Sequence, residues 1–222
     1  MTLAAKQTRP AAGGGAKVDL KRLRPDLYAP SAKEPALVEV PPMPFLMVNG
    51  TGDPNTAPAY QHALEALYGM AYTLKFAVKR QLGTDYTVMP LEGLWWTPNM
   101  HELDTEHKDA WWWTAMIAEP DEVTPALVAE AREQVERKKP NPALAQLKLE
   151  KLDEGLAAQI LHLGPYATEG PTIVRLHAFI REQGYVFDGL RQKHHEIYLS
   201  DPRRAAPAKM RTIIRQSVTR SA

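Results

Sequence analysis

The chain has 222 residues, 44% of them apolar, which is enough for one sizeable core and short for two independent domains. Lys and Arg number 27 against 26 Asp and Glu, so the net charge of +1 gives no electrostatic case for nucleic acid. The absence of cysteine removes disulfides, thiolate metal sites and thiol catalysis, and with no membrane-length apolar run or secretory leader pattern a cytoplasmic protein is expected.

Residues 1–17 are rich in Ala and Gly and are expected to form a disordered tail, with a single domain over 18–222. Val18 to Val40 is polar and punctuated by proline, which suits a short helical turn and an arm wrapping the domain. Phe45 to Val48 is an apolar run closed by Gly and Asp-Pro turn signals, a strand entering a loop. Between Ala57 and Lys79, Tyr60, Leu64, Leu67, Met70, Ala71, Leu74 and Val78 recur near helical spacing and predict an amphipathic helix. Two aromatic strands follow, Tyr86 to Thr97 and Ala110 to Pro120, separated by a polar loop. A second helix, "DEVTPALVAEAREQVERKK", has Pro125 near its first turn and basic residues at its end.

The second half repeats this order. Glu154 to Tyr166 reads as a strand, Glu169 to Gly184 as a helix capped by glycine, and "KHHEIYLSDP" and "KMRTIIRQSV" as two strands joined by a basic turn. The chain therefore predicts an α+β fold of duplicated βαββ units, about 41–140 and 150–218, with helices on one side of the sheet and a central cleft. Alignment by order sets "PLEGLWW" against "HHEIYLS" and makes Glu92 the counterpart of Glu196.

Strand alternation places His194, Glu196 and Tyr198 on one face and His195, Ile197 and Leu199 on the other. Glu92, Leu94 and Trp96 likewise share a face. A carboxylate beside aromatic rings suits a general base, or a counter-charge for a cationic aromatic ligand. The alternative for Glu196 is an ion pair with Arg203, Arg211 or Arg215 across the hairpin. All five tryptophans lie in Trp95, Trp96 and Trp111 to Trp113, where Trp112 opposes its two neighbours. They suit core packing with a dimer surface, or a flat slot for a planar ligand, so a monomer or a homodimer fits. "HELDTEH", His101 to His107, matches no zinc spacing, and Ser200 before Asp-Pro is a turn residue.

The segments "PFLMVNGTGDPN", "PLEGLWW", "AWWWTAMIAEP", "LHLGPYATEGPTIVRLHAFI" and "HHEIYLSDPRRAAPAKMRTIIRQ" occur in an order that resembles stand-alone GyrI-like proteins of the GyrI-like/SOUL superfamily. The resemblance implies two βαββ halves around a pocket with a glutamate at Glu196. Relatives fused to transcription activators bind lipophilic, often cationic drugs there. Some stand-alone members hydrolyse the cyclopropane ring of DNA-alkylating natural products. Glu196 and Tyr198 would then be catalytic, and Trp96, Trp112 or its neighbours, and Tyr166 would bind a hydrophobic planar small molecule, with no metal or cofactor; the strand reading adds Glu92 and His194 to that binding site.

Overall fold

A computed structural model describes residues 17–97, 108–187, 189 and 193–221. The "HELDTEH" segment lies outside them.

The arm begins with two short helices, α1 (Leu20–Leu23) and α2 (Pro25–Tyr28). Asp19 caps the first by accepting from Lys21 N at 3.0 Å, and proline at the first position starts the second. The elements that follow are β1 (Ala36–Val40), β2 (Met43–Thr51), α3 (Pro58–Leu82), β3 (Leu91–Trp96), β4 (Trp112–Ala118) and α4 (Pro125–Lys138). The remaining elements are β5 (Lys148–Leu152), β6 (Gly155–Leu163), α5 (Gly170–Glu182), β7 (Tyr185–Val186), β8 (His194–Tyr198), β9 (Arg211–Ser217) and β10 (Thr219–Arg220).

Eight strands form one antiparallel sheet in the order β1-β6-β9-β8-β3-β4-β2-β5, and β7 pairs with β10 apart from it. The order is symmetric about the β3/β8 junction. Each half is a strand, a helix and two further strands, as the duplication predicts. The outer strands are exchanged: β1 precedes β2 but pairs with β6, while β5 precedes β6 but pairs with β2. β5 was not expected as a strand. Its sequence "KLEKL" is mostly solvated at the sheet edge and lacks the aromatic and β-branched residues that mark the other strands.

Both repeat helices lie on one face. α3 packs on β2 and β4, α4 packs on α3, and α5 packs on β6. In α3 the buried set Tyr60, Ala63, Leu67, Met70, Ala71, Leu74 and Val78 follows helical spacing. Leu67 and Leu74 are fully buried, so truncation of either to Ala costs about 2–5 kcal/mol. A smaller core of Ala158, Ile160, Leu176, Ile180, Ile214 and Val218 seats α5. The opposite face of the sheet is covered by the arm, through Leu27 and Tyr28. The middle strands β3 and β8 thus form the floor of a groove between α3 and α5.

The ladders fix which residues of the two halves are equivalent. Across one half the sequence of partners runs Val48–Ala115–Gly93. Across the other it runs Ile160–Ile214–Glu196. One residue further, Met47–Met116–Glu92 corresponds to Gln159–Arg215–His195. The counterpart of Glu196 is therefore Gly93, and the counterpart of Glu92 is His195. The expected match of the two glutamates is out by one residue, and in a strand one residue reverses the face.

Candidate functional site

The groove floor is built from the side chains of β3 and β8 that point toward the helices: Trp95, His194, Glu196 and Tyr198. Glu196 accepts from the hydroxyl of Tyr198 at 2.7 Å and lies 3.0 Å from His194 Nε2. The amide of Gln216 donates to His194 Nδ1 at 3.2 Å, so His194 presents Nε2–H to the carboxylate. The indole N–H of Trp95 donates to the Tyr198 oxygen at 2.9 Å. Two donor chains, Gln216–His194 and Trp95–Tyr198, therefore converge on one carboxylate.

Burial works against ionisation of Glu196, yet hydrogen bonds from His194, Tyr198 and Glu169 outweigh it and hold the carboxyl below the usual carboxylate range. Its side chain is 15% exposed, leaving a window onto the groove. Burial, followed by the Glu196 charge, raises the Tyr198 phenol well above its ordinary range. No arginine pairs with Glu196 among the described contacts. Arg203 binds Asp201, and Arg215 faces the other side of the sheet, so the cross-hairpin ion pair does not form.

Aromatic rings wall this carboxylate. Tyr60 of α3 lies 5.7 Å from Trp95 and 4.9 Å edge-on from Trp113, and Trp111 lies 5.8 Å from Trp95. Tyr166, in the turn before α5, lies 5.5 Å edge-on from Tyr198 and is 40% exposed at the rim. Two glycines make room for the large rings. A Cβ on Gly50 would meet the Trp113 ring at 2.3 Å, and one on Gly93 would meet Trp95 Nε1 at 2.7 Å and Tyr198 Oη at 3.1 Å. Gly93 lies directly across the ladder from Glu196.

The structure brings together Glu196, Tyr198, His194 and Tyr166, as the sequence predicts, and places three other candidates elsewhere. Trp96 and Trp112 pair across the ladder with ring centroids 6.2 Å apart, on the face turned away from Glu196. Trp111 and Trp113 take the groove side, which resolves the alternation within the Trp triplet.

Glu92 lies on the arm face at the centre of a buried polar network. It accepts from Tyr28 at 3.2 Å and lies 2.9 Å from His195 Nε2, while Glu154 lies 2.9 Å from His195 Nδ1. Arg215 donates to Glu154, Gln159 and the carbonyl of Leu27. Burial disfavours the imidazolium of His195, but Glu154 and Glu92 outweigh it and bring the ring up to about 9. Burial disfavours the Glu154 anion as well, but His195 and Arg215 hold its carboxyl down to about 2. This network ties the arm to the back of the sheet beneath the groove.

Sequence reasoning missed Glu169. It precedes α5 and is 5% exposed. Burial, then the Glu196 charge, pushes Glu169 up to about 9. The available signal was the position of Glu169 just before "GPTIV", a helix start next to Tyr166. Trp95 was missed because the register was anchored on Glu92, which assigned the opposite parity to β3.

Residues 33–217 match the GyrI-like small molecule binding domain. The chain belongs to the GyrI-like family. Its domain is a small-molecule-binding one, and the groove with its aromatic walls is where the GyrI-like halves meet. The crystal structure of an uncharacterized conserved protein from Listeria innocua is similar, with TM-score 0.85 and 41% identity over 91% of this chain and 100% of that one. A hydrolase from Listeria innocua aligns with TM-score 0.80 and 38% identity, over 91% and 100% of the two chains. The C-terminal domain of EcmrR shares the GyrI-like fold at TM-score 0.51 and 12% identity, over 85% of this chain and 98% of that one. No functionally curated protein matches the chain significantly. Among the described residues no helix is long and apolar enough to cross a membrane.

Proposed function

We propose that this protein takes flat, hydrophobic xenobiotics into the groove between α3 and α5 and hydrolyses cyclopropanoid DNA-alkylating compounds with a water activated by Glu196. The observation that carries the proposal is the Glu196 carboxylate, fixed by Tyr198 at 2.7 Å and His194 at 3.0 Å and walled by aromatic rings. A flat ligand stacked among Tyr60, Trp95 and Tyr166 would set its strained ring over the Glu196 carboxylate. Glu196 then takes a proton from water as the oxygen attacks the cyclopropane methylene. Tyr198 or Tyr166 steadies the carbonyl oxygen on which negative charge develops. The hydrolase named among the similar structures, 38% identical, supports the reaction class.

The test is incubation with a cyclopropane-bearing alkylator, with ring opening followed by mass spectrometry. Glu196→Gln keeps the shape of the floor and removes the base, and turnover is expected to fall by about 100- to 10,000-fold. Turnover unchanged in that variant overturns the assignment.

A second reading, binding without chemistry, is favoured by the same carboxylate lying among ring faces, an arrangement that attracts planar cations. A cationic dye such as ethidium would then bind, lose affinity in Glu196→Gln, and be released intact alongside every alkylator tested.

A further inference from the structure

We propose that His162 is a positioning residue for the α5 rim of the groove: it braces the turn that carries Tyr166 and so makes the groove select flat ligands over thick ones. The inference rests on the groove being the ligand site, as read above, and adds to it a residue that sets shape selectivity.

The two rims are built differently at equivalent positions. On the α3 side the ladder runs Gly50–Trp113–Trp95, and on the α5 side it runs His162–Thr212–Tyr198. Gly50 leaves its space to the Trp113 ring, which a Cβ there would meet at 2.3 Å. That rim is a large buried ring packed on the sheet. At the equivalent position the imidazole of His162 fills the space itself, 5% exposed, and the rim beyond it is the turn that holds Tyr166.

A turn has little packing to fix it and depends on its hydrogen bonds. His162 supplies them on both sides of Tyr166. Its Nε2 lies 3.3 Å from the Pro165 carbonyl and 3.3 Å from Thr168 Oγ1, and the Thr168 hydroxyl donates to the same carbonyl at 2.8 Å. A carbonyl only accepts, so Nε2 carries the hydrogen, and Nδ1 accepts from the Thr172 hydroxyl at 2.9 Å. One ring thus ties the residues flanking Tyr166 to the first turn of α5. Gly164 permits this close approach. Its φ of 133° suits glycine, and a Cβ there would meet Thr168 Oγ1 at 3.0 Å and His162 Nε2 at 3.3 Å.

Tyr166 is 40% exposed and meets Tyr198 edge-on, with ring centroids 5.5 Å apart. A ring so exposed takes its direction from the turn that carries it. With the turn braced, Tyr166 stands across the groove from Tyr60, and the slot between them fits one flat ring system. With the brace removed, the turn gives way and the slot admits rings lying in several planes.

The experiment titrates the full chain with two organic cations, planar ethidium and tetrahedral tetraphenylarsonium. Each carries one positive charge, so the attraction of Glu196 is shared and shape separates them. The variants are His162→Phe, which keeps a ring without its hydrogen bonds, His162→Gln, Tyr166→Ala, and the double variant of His162→Phe with Tyr166→Ala. The ratio of ethidium to tetraphenylarsonium affinity is expected to fall roughly 5- to 20-fold in His162→Phe, through loss of buried hydrogen bonds. His162→Gln can still donate to the Pro165 carbonyl and should recover part of the ratio. Tyr166→Ala should lower the ratio to a similar extent, and adding His162→Phe to it should change the ratio no further, because both act through one turn. A merely structural role would lower the melting temperature and both affinities together and leave the ratio unmoved. If His162→Phe does not fold, Thr172→Val removes one bond of the brace and is expected to shift the same ratio by a smaller factor. A ratio that stays constant in the brace variants while Tyr166→Ala changes it overturns the role of His162 and leaves the groove intact. A wild-type protein that binds neither cation overturns both the groove as a site for planar cations and the selectivity assigned to His162.

Discussion

Trp95 and Tyr198 occupy equivalent positions in the two halves of the sheet, and the indole of the first donates to the hydroxyl of the second at 2.9 Å. The contact joins the halves at their junction and points the Tyr198 proton at Glu196. In Tyr198→Phe the Trp95 N–H loses its acceptor and Glu196 loses one of its donors. Leaving such groups unpaired costs about 1–3 kcal/mol, so affinity for a planar cation is expected to drop roughly 5- to 100-fold by binding titration. Trp95→Phe should have a smaller effect, and the double variant should fall short of the summed losses because both changes break one chain. Strict additivity would show that the indole does not act through Tyr198.

Gly93 tests the same junction sterically. Its absent side chain is where the Trp95 indole passes, and an alanine there would meet Nε1 at 2.7 Å. Gly93→Ala must therefore displace the indole from Tyr198. The expected outcome is a loss of ligand affinity like that of Trp95→Phe together with a drop in melting temperature of several degrees, since overpacking costs about 1–3 kcal/mol. An unchanged Trp fluorescence spectrum with unchanged affinity would contradict the assigned packing.

The architecture was legible because hydrophobic periodicity reports elements directly. The buried spacing of Tyr60 to Val78 marked α3, and the strand–helix–strand–strand order marked the duplication. Parity within β8 also read correctly, since alternation alone puts His194, Glu196 and Tyr198 together. Register between the halves did not. Alignment by element order sets Glu92 against Glu196, whereas the ladders set Glu92 against the position of His195. That single step moved Glu92 and Trp96 to the wrong face and hid Trp95. Glu169 was illegible for a different reason: its proximity to Glu196 joins residues brought together only by the tertiary fold.

The network behind the sheet predicts an alkaline loss of stability. His195 is brought up to about 9 from an ordinary 6.5, so its contribution is fully present below pH 6.5 and is lost as the pH rises through about 9. Glu154, held down to about 2 from 4.5, contributes above pH 4.5 and its share is lost only as the pH falls through about 2. Thermal melts should therefore show a decline from pH 6.5 to 9. His195→Gln is expected to lose about 3–5 kcal/mol at pH 6, because the buried Glu154 then keeps only Arg215 as a cation. It should also flatten the alkaline decline. A variant with the wild-type pH slope would rule out His195 as its source.

Glu119 adds a second alkaline loss of stability, driven by burial. It follows β4, is 1% exposed, and accepts from Tyr86 at 2.9 Å, while its Oε1 has no partner among the described residues. Burial pushes its carboxyl up to about 8 although the Tyr86 hydrogen bond works against that shift. The folded chain thus keeps a proton that the unfolded chain releases near pH 4.5. Stability is full below that pH and falls as the pH rises toward 8, by about 1.4 kcal/mol per unit where the slope is greatest. Glu119→Gln carries no proton to release and still offers an oxygen to Tyr86. It is expected to melt near the wild-type temperature at pH 5 and several degrees higher at pH 8, with activity in the groove unchanged because Glu119 takes no part in it. Denaturant titrations at the two pH values check the difference, and a variant less stable than wild type at pH 8 would mean that the glutamate is ionised and partnered.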